Sequence, residues 1–262
     1  MSTRVRLTLH VLIAAAVALT SVSTAPAATA EPDPVPVVTP EVLAEYPHDP
    51  HAWTEGLELD GSTLYEATGD WGRSDLRQVD LQTGTVLKRV PINAAYFGEG
   101  ITVVDDRIWQ LTYQDDVAIE WDKATLTPLR EVPTGRELWG LCRDGDRLIS
   151  SDGTGLLRFH DPATMSELGS VEVTRTDAPV GRLDELECVD GLVWASVWPT
   201  DDFVRIDPNT GVIDLVLDAS ALWRFGERGN AQVMSSIAHV DGDRYLLVGK
   251  EWPAMFEVRI PS

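Results

Sequence analysis

Trp53-Thr54-Glu55-Gly56-Leu57-Glu58-Leu59-Asp60-Gly61-Ser62-Thr63-Leu64-Tyr65-Glu66-Ala67-Thr68-Gly69-Asp70-Trp71 is the stretch that decides the fold. A Glu-Gly-hydrophobic triplet leads into one strand. Asp60-Gly61 turns the chain, and a second strand ends in small polar residues and an aromatic. An Asp-Gly pair supplies the positive φ that a tight hairpin needs. The same succession returns at Glu99-Gly100-Ile101, Asp105-Asp106 and Gln110-Leu111-Thr112-Tyr113. A third copy runs through Trp139-Gly140-Leu141, Asp144-Gly145 and Ser150-Ser151-Asp152. A fourth runs through Glu185-Leu186-Glu187, Asp190-Gly191 and Ser196-Val197-Trp198. A worn fifth has Ser235-Ser236-Ile237, Asp241-Gly242 and Gly249-Lys250-Glu251-Trp252. Strand-built repeats of roughly 40–50 residues indicate a β-propeller.

Second turns close the outer hairpins at Asp80–Gly84, Asp122–Thr125, Asp161–Thr164 and Asp207–Gly211, where Asp and Thr side chains can bond the turn backbone. No long stretch has a 3.6-residue apolar period, so helix is expected at most as one turn over Ala219–Trp223. The fold class is therefore all-β, a five-bladed β-propeller. Phe256–Ile260 ends the chain as the third strand of the last blade, and Val42–Tyr46 is a strand without a hairpin partner. Pairing the two closes the ring and removes exposed sheet edges.

Three segments follow from this reading. Residues 1–30 carry Arg4 and Arg6, the apolar run Leu7–Leu19 and the small-residue site Ala28-Thr29-Ala30, the pattern of a secretory signal peptide. The run is short of the roughly 20 apolar residues of a membrane span. The expectation is thus an exported protein with no stable membrane association after cleavage. Residues 31–40 hold Pro32, Pro34, Pro36 and Pro40 and are expected to form an extended linker with no packing role. Residues 41–262 form the propeller domain, expected to be a monomer.

Acidic residues number 42 against 21 basic, a net charge of −21. Such a field repels phosphate backbones and excludes nucleic acid as a partner. Cys142 and Cys188, the two cysteines, occupy the same place in successive repeats. Side chains related by rotation point the same way around the ring, so the expectation is two buried free thiols.

Equivalent positions in each blade converge on one funnel. The segments ahead of the first strands bring Trp53, Glu55, Phe97, Glu99, Trp139, Asp184 and Glu185 to it; the opposite strand ends bring Tyr113, Trp198 and Lys250. The histidines (His10, His48, His51, His160 and His239) are scattered, so no metal-ligand spacing is found and neither a metal nor another cofactor is expected. No Gly-x-Ser-x-Gly elbow or Gly-rich phosphate loop occurs. Acid–base chemistry by carboxylates in an apolar site remains.

Tyr46–Leu57, Tyr96–Thr102, Leu64–Gly69, Gln110–Tyr113, Leu183–Glu187 and Gly249–Pro253 together resemble the plant-type glutaminyl-peptide cyclotransferases, in order and over about residues 45 to 260. The resemblance implies a metal-independent five-bladed propeller that converts N-terminal glutaminyl residues of peptides to pyroglutamate and releases ammonia. It makes Glu99 the acid–base glutamate and Lys250 the lysine beside it. It makes Trp139 and Trp198 the walls around the substrate side chain, with Trp53 and Phe97 at further aromatic positions. Three positions depart from the family pattern: Glu55 stands for Gln, Tyr113 for Trp and Asp184 for Asn. The two added acids are expected to raise the Glu99 pKa, because like charges disfavour ionisation. A carboxylate at Glu55 could also pair with the substrate ammonium. Two other readings stay open: a propeller that binds peptide N-termini without turnover, and a calcium-assisted hydrolase using the funnel carboxylates.

Overall fold

A computed structural model describes residues 34–176, 178–222 and 231–261. The expected signal peptide and Trp223 lie outside them. Among the described residues, five antiparallel blades of four strands each make up the domain; one of them gains a fifth, parallel strand at its outer edge, and a separate two-stranded ribbon pairs Thr174–Arg175 with Ala178–Pro179. The innermost strands of the blades are Thr54–Asp60, Phe97–Val104, Leu141–Asp144, Leu183–Val189 and Met234–Asp241. Each packs against the next, and the last packs against the first, so they form a closed ring. The final blade takes its outer strand from the other end of the domain. Glu41–Pro47 pairs antiparallel with Ala254–Arg259, with Tyr46 opposite Met255.

Local chemistry sets the repeat. Gly61, Gly145, Gly191 and Gly242 have positive φ in the inner hairpins, and Asp105 (φ 56°) takes that conformation in the second blade. In the outer turns Asp80, Asp122 and Asp161 each accept bonds from the backbone N–H and hydroxyl of the Thr three residues on. Between blades, Leu57, Ile101, Leu141, Leu186 and Ile237 bury the inner-strand faces. Leu222 N–H bonds back to Ala219, making a turn where one was expected.

Glycines govern how closely the inner strands meet. A Cβ on Gly56 would lie 2.8 Å from Ile101 N, and one on Gly100 would lie 2.7 Å from the Trp139 carbonyl. On Gly140 it would lie 2.2 Å from the Asp184 carbonyl. These are backbone-to-backbone contacts with no room for a side chain.

Two expectations are corrected by this closeness and by the linker's own backbone. Cys142 and Cys188 are not free: they form a disulfide, with Cα atoms 5.4 Å apart. Repeat symmetry fixes the direction of equivalent Cβ bonds but not their separation. Beside the axis, neighbouring inner strands run within the roughly 4.4–6.8 Å Cα range that a disulfide spans. The Pro-rich segment also packs. Val37–Val38 adds in parallel to Ile213–Asp218 at the outer edge of the fourth blade, and Val216 N–H donates to the Pro36 carbonyl. Prolines keep the segment extended, and the two valines retain the donors that an edge can use.

Gly140→Ala is expected to lower the melting temperature by several degrees, since overpacking costs about 1–3 kcal/mol and about 1 kcal/mol is worth roughly 2–4 °C at this size. Calorimetry showing no change would contradict the tight ring. Thiol titration of the denatured protein should find no free cysteine before reduction and both cysteines after it.

Candidate active site

The inner strands are irregular where the chemistry sits. Register shifts fall between Thr54 and Gly56, between Gly98 and Ile101, and between Leu183 and Leu186. Each is a β-bulge, which sets two residues against one and re-aims a side chain. The bulged positions hold Glu55, Glu99 and Asp184. A fourth bulge holds Ser235, whose hydroxyl donates to the Thr54 carbonyl instead of facing the cavity. Thr54 is itself fixed by its hydroxyl bond to buried Glu66.

A cavity of about 280 Å³ opens at this end of the ring, lined by Trp53, Glu55, Phe97, Glu99, Tyr113, Trp139, Asp184, Trp198 and Lys250. All nine residues singled out for catalysis or substrate binding surround it. Glu185 does not: its carboxylate lies along the axis and accepts the N–H groups of Leu57 and Ile237 from two other inner strands.

Carboxylate oxygens of Glu55, Glu99 and Asp184 lie within 4.8 Å of one another, all from buried residues. Sequence spacing could not reveal this trio, because three blades contribute to it. It is a set that could hold a cation, and it already has one: Lys250 Nζ lies 2.5 Å from Glu55 Oε2. That contact also departs from the idea that Glu55 is free for a substrate ammonium. Burial pushes the Glu99 pKa well above the ordinary carboxylate value, and the charges of Glu55 and Asp184 push it further. Burial likewise raises Glu55 to about 7 against the pull of Lys250, and raises Asp184. Burial works against the Lys250 ammonium, yet Glu55, Asp184 and Glu99 together hold its pKa above normal. The site is thus an ammonium among three buried acids, each with its pKa raised by burial.

Aromatic rings make the wall. Phe97 and Tyr113 meet edge-on at 5.7 Å, and Tyr113 and Trp139 lie 6.2 Å apart. Lys250 Nζ sits 5.7 Å from the Trp53 ring centre. Burial, then Glu137 and Glu99, raise the Tyr113 hydroxyl pKa, so it is a neutral donor. Trp139 Nε1 donates to Glu137 Oε1 at 2.7 Å. Glu137 orients that indole, a role the sequence reading missed. Its only signal is its place two residues ahead of Trp139 in a connecting loop.

The glutamine cyclotransferase family model matches residues 12–260. The chain belongs to that family. Among its relatives, the chain is 37% identical to the glutaminyl-peptide cyclotransferase of Arabidopsis thaliana over 227 residues, covering 84% of this chain and 71% of the other. The crystal structure of Myxococcus xanthus glutaminyl cyclase superposes with a TM-score of 0.78 at 33% identity, over 87% of this chain and 98% of that one.

A carboxyl group whose pKa is higher folded than unfolded keeps its proton in the native state after the unfolded chain has released it. Its contribution to stability therefore falls as pH rises from about the unfolded value of 4.5. Glu99→Gln cannot ionise, so its melting temperature should gain on wild type as the pH rises above about 4.5. Parallel pH–Tm curves would contradict a raised Glu99 pKa.

Proposed function

We propose that this protein converts N-terminal glutaminyl residues of peptides to pyroglutamate with release of ammonia, using Glu99 as the acid–base group and no metal. The observation that carries the reading is a buried Glu99, its pKa pushed above the ordinary carboxylate value by burial, lining an aromatic cavity in a member of this family. The Arabidopsis relative's name supports the substrate class.

The reaction is internal to one residue. The free α-amine attacks the γ-carboxamide carbon, a C–N bond forms, and the bond to the leaving nitrogen breaks. Holding the folded-back conformer supplies much of the acceleration. The leaving nitrogen must gain a proton and the attacking nitrogen must lose one. Glu99, its pKa raised by burial, gives the first as a carboxylic acid and recovers the second as a carboxylate, so the carboxyl ends as it began. Trp139 and Trp198 hold the side chain between their rings. Lys250 and the Tyr113 hydroxyl offer positive charge and a hydrogen bond to the carbonyl oxygen as it becomes an oxyanion. Glu55 and Asp184 hold the Lys250 ammonium in place. That resident cation is the support for metal-free chemistry.

Export is part of the proposal. The Cys142–Cys188 disulfide supports it, because such bonds persist in oxidising compartments. We also propose a monomer, since the last blade closes on the chain's own Glu41–Pro47 strand.

Ammonia release from a Gln-initiated dipeptide tests the reading. Wild type should turn over equally with and without excess chelator, and Glu99→Gln should lose about 10²–10⁴-fold. Chelator-sensitive turnover would overturn the metal-free mechanism. Full activity in Glu99→Gln would remove Glu99 from it, and saturable peptide binding without ammonia would leave a binding protein.

A further inference from the structure

Trp71 belongs to the stretch that decided the fold, yet the cavity does not use it. It is 55% exposed. Its ring meets Phe97 edge-on at 5.0 Å and lies 6.2 Å from Tyr113. Tyr113 in turn lies 6.2 Å from Trp139. Four rings thus run without a break from solvent to the cavity wall. The other exposed ring at the rim, Trp198, has the Arg182 guanidinium 5.4 Å from its centre.

The loop that presents Trp71 is tightly built. Asp70, just before it, holds a φ of 108°, which side-chain-bearing residues rarely adopt. The Asp70 carbonyl accepts bonds from Arg73 N–H, Ser74 N–H and the Ser74 hydroxyl. The Ser74 hydroxyl also accepts from Gly98 N–H, beside Glu99. A Cβ on Gly69 would overlap the Phe97 ring at 2.2 Å, so the loop lies flush on that ring. Backbone strain kept by surrounding bonds is characteristic of functional positions.

We propose that Trp71 forms a subsite for the second residue of the peptide substrate and favours an apolar or aromatic side chain there. The inference rests on the glutaminyl-peptide reading above. A cavity of about 280 Å³ is below the roughly 300–1,000 Å³ of drug-sized sites. It takes the first residue, and the chain leaves across the rim. There the exposed face of Trp71, continuous with Phe97 and Tyr113, is the aromatic surface that the second side chain meets.

The test is kcat/KM for amidated Gln-Phe-Ala and Gln-Gly-Ala peptides with wild type, Trp71→Ala and Trp71→Phe. One aromatic contact is worth about three- to ten-fold. Wild type should prefer the Phe peptide by that factor, chiefly through KM. Trp71→Ala should bring the ratio close to one, and Trp71→Phe should restore most of it. A ratio indifferent to Trp71, or no preference in wild type, overturns the subsite alone. No turnover of either peptide by wild type overturns the activity and this inference with it.

Discussion

Five inner strands meet so closely at the axis that hydrogen is the only side chain admitted at Gly56, Gly100 and Gly140. That constraint reaches most of the molecule. It carries equivalent positions of the third and fourth blades to within 5.4 Å, so two cysteines become a cross-link. It also gathers Glu55, Glu99 and Asp184, far apart in sequence, into a space less than 5 Å across, within the 4.8 Å limit that relates their oxygens. A wider ring would leave three solvated acids. The tight one makes them share an environment.

Crowded acids have few ways to coexist away from water. One can keep its proton, or a cation can sit among them. Both occur here. Lys250 neutralises part of the charge by its contact with Glu55, while burial and the neighbouring carboxylates press Glu99 towards its neutral form. The arrangement resembles the general logic of paired catalytic acids, in which neighbouring carboxyl groups are driven to different protonation states. Aromatic walls sharpen the effect by limiting water. The same crowding continues down the axis, where burial holds the Glu185 and Glu187 carboxyl groups well above their ordinary pKa.

Much of this was legible because the repeat is written in turn chemistry. Asp-Gly hairpins and the Asp–Thr outer turns act locally, and they gave the five blades. The unpaired strand near residue 42 found its partner at the chain's end by elimination. All nine cavity residues were reachable by combining position in the repeat with family resemblance. What sequence could not carry were relations across blades. The Cys142–Cys188 bond, the Glu55–Lys250 contact and the closeness of the acidic trio depend on a ring radius that no single repeat encodes. The bulges at Glu55, Glu99 and Asp184 are equally silent, since an extra residue in a strand shows only against its partner. Val37–Val38 was hidden by its prolines, which set an extended backbone without saying whether an edge receives it.

The most direct measurement is a carbon-13 NMR titration of the glutamate side-chain carboxyl carbons in wild type, with Glu99→Gln identifying the resonance that disappears. The Glu99 carboxyl should remain protonated well above the ordinary carboxylate value of 4.5 and should respond when Glu55→Gln removes a neighbouring charge. A Glu99 signal that titrates near 4.5, unmoved by that substitution, would contradict a site built on crowded, buried acids.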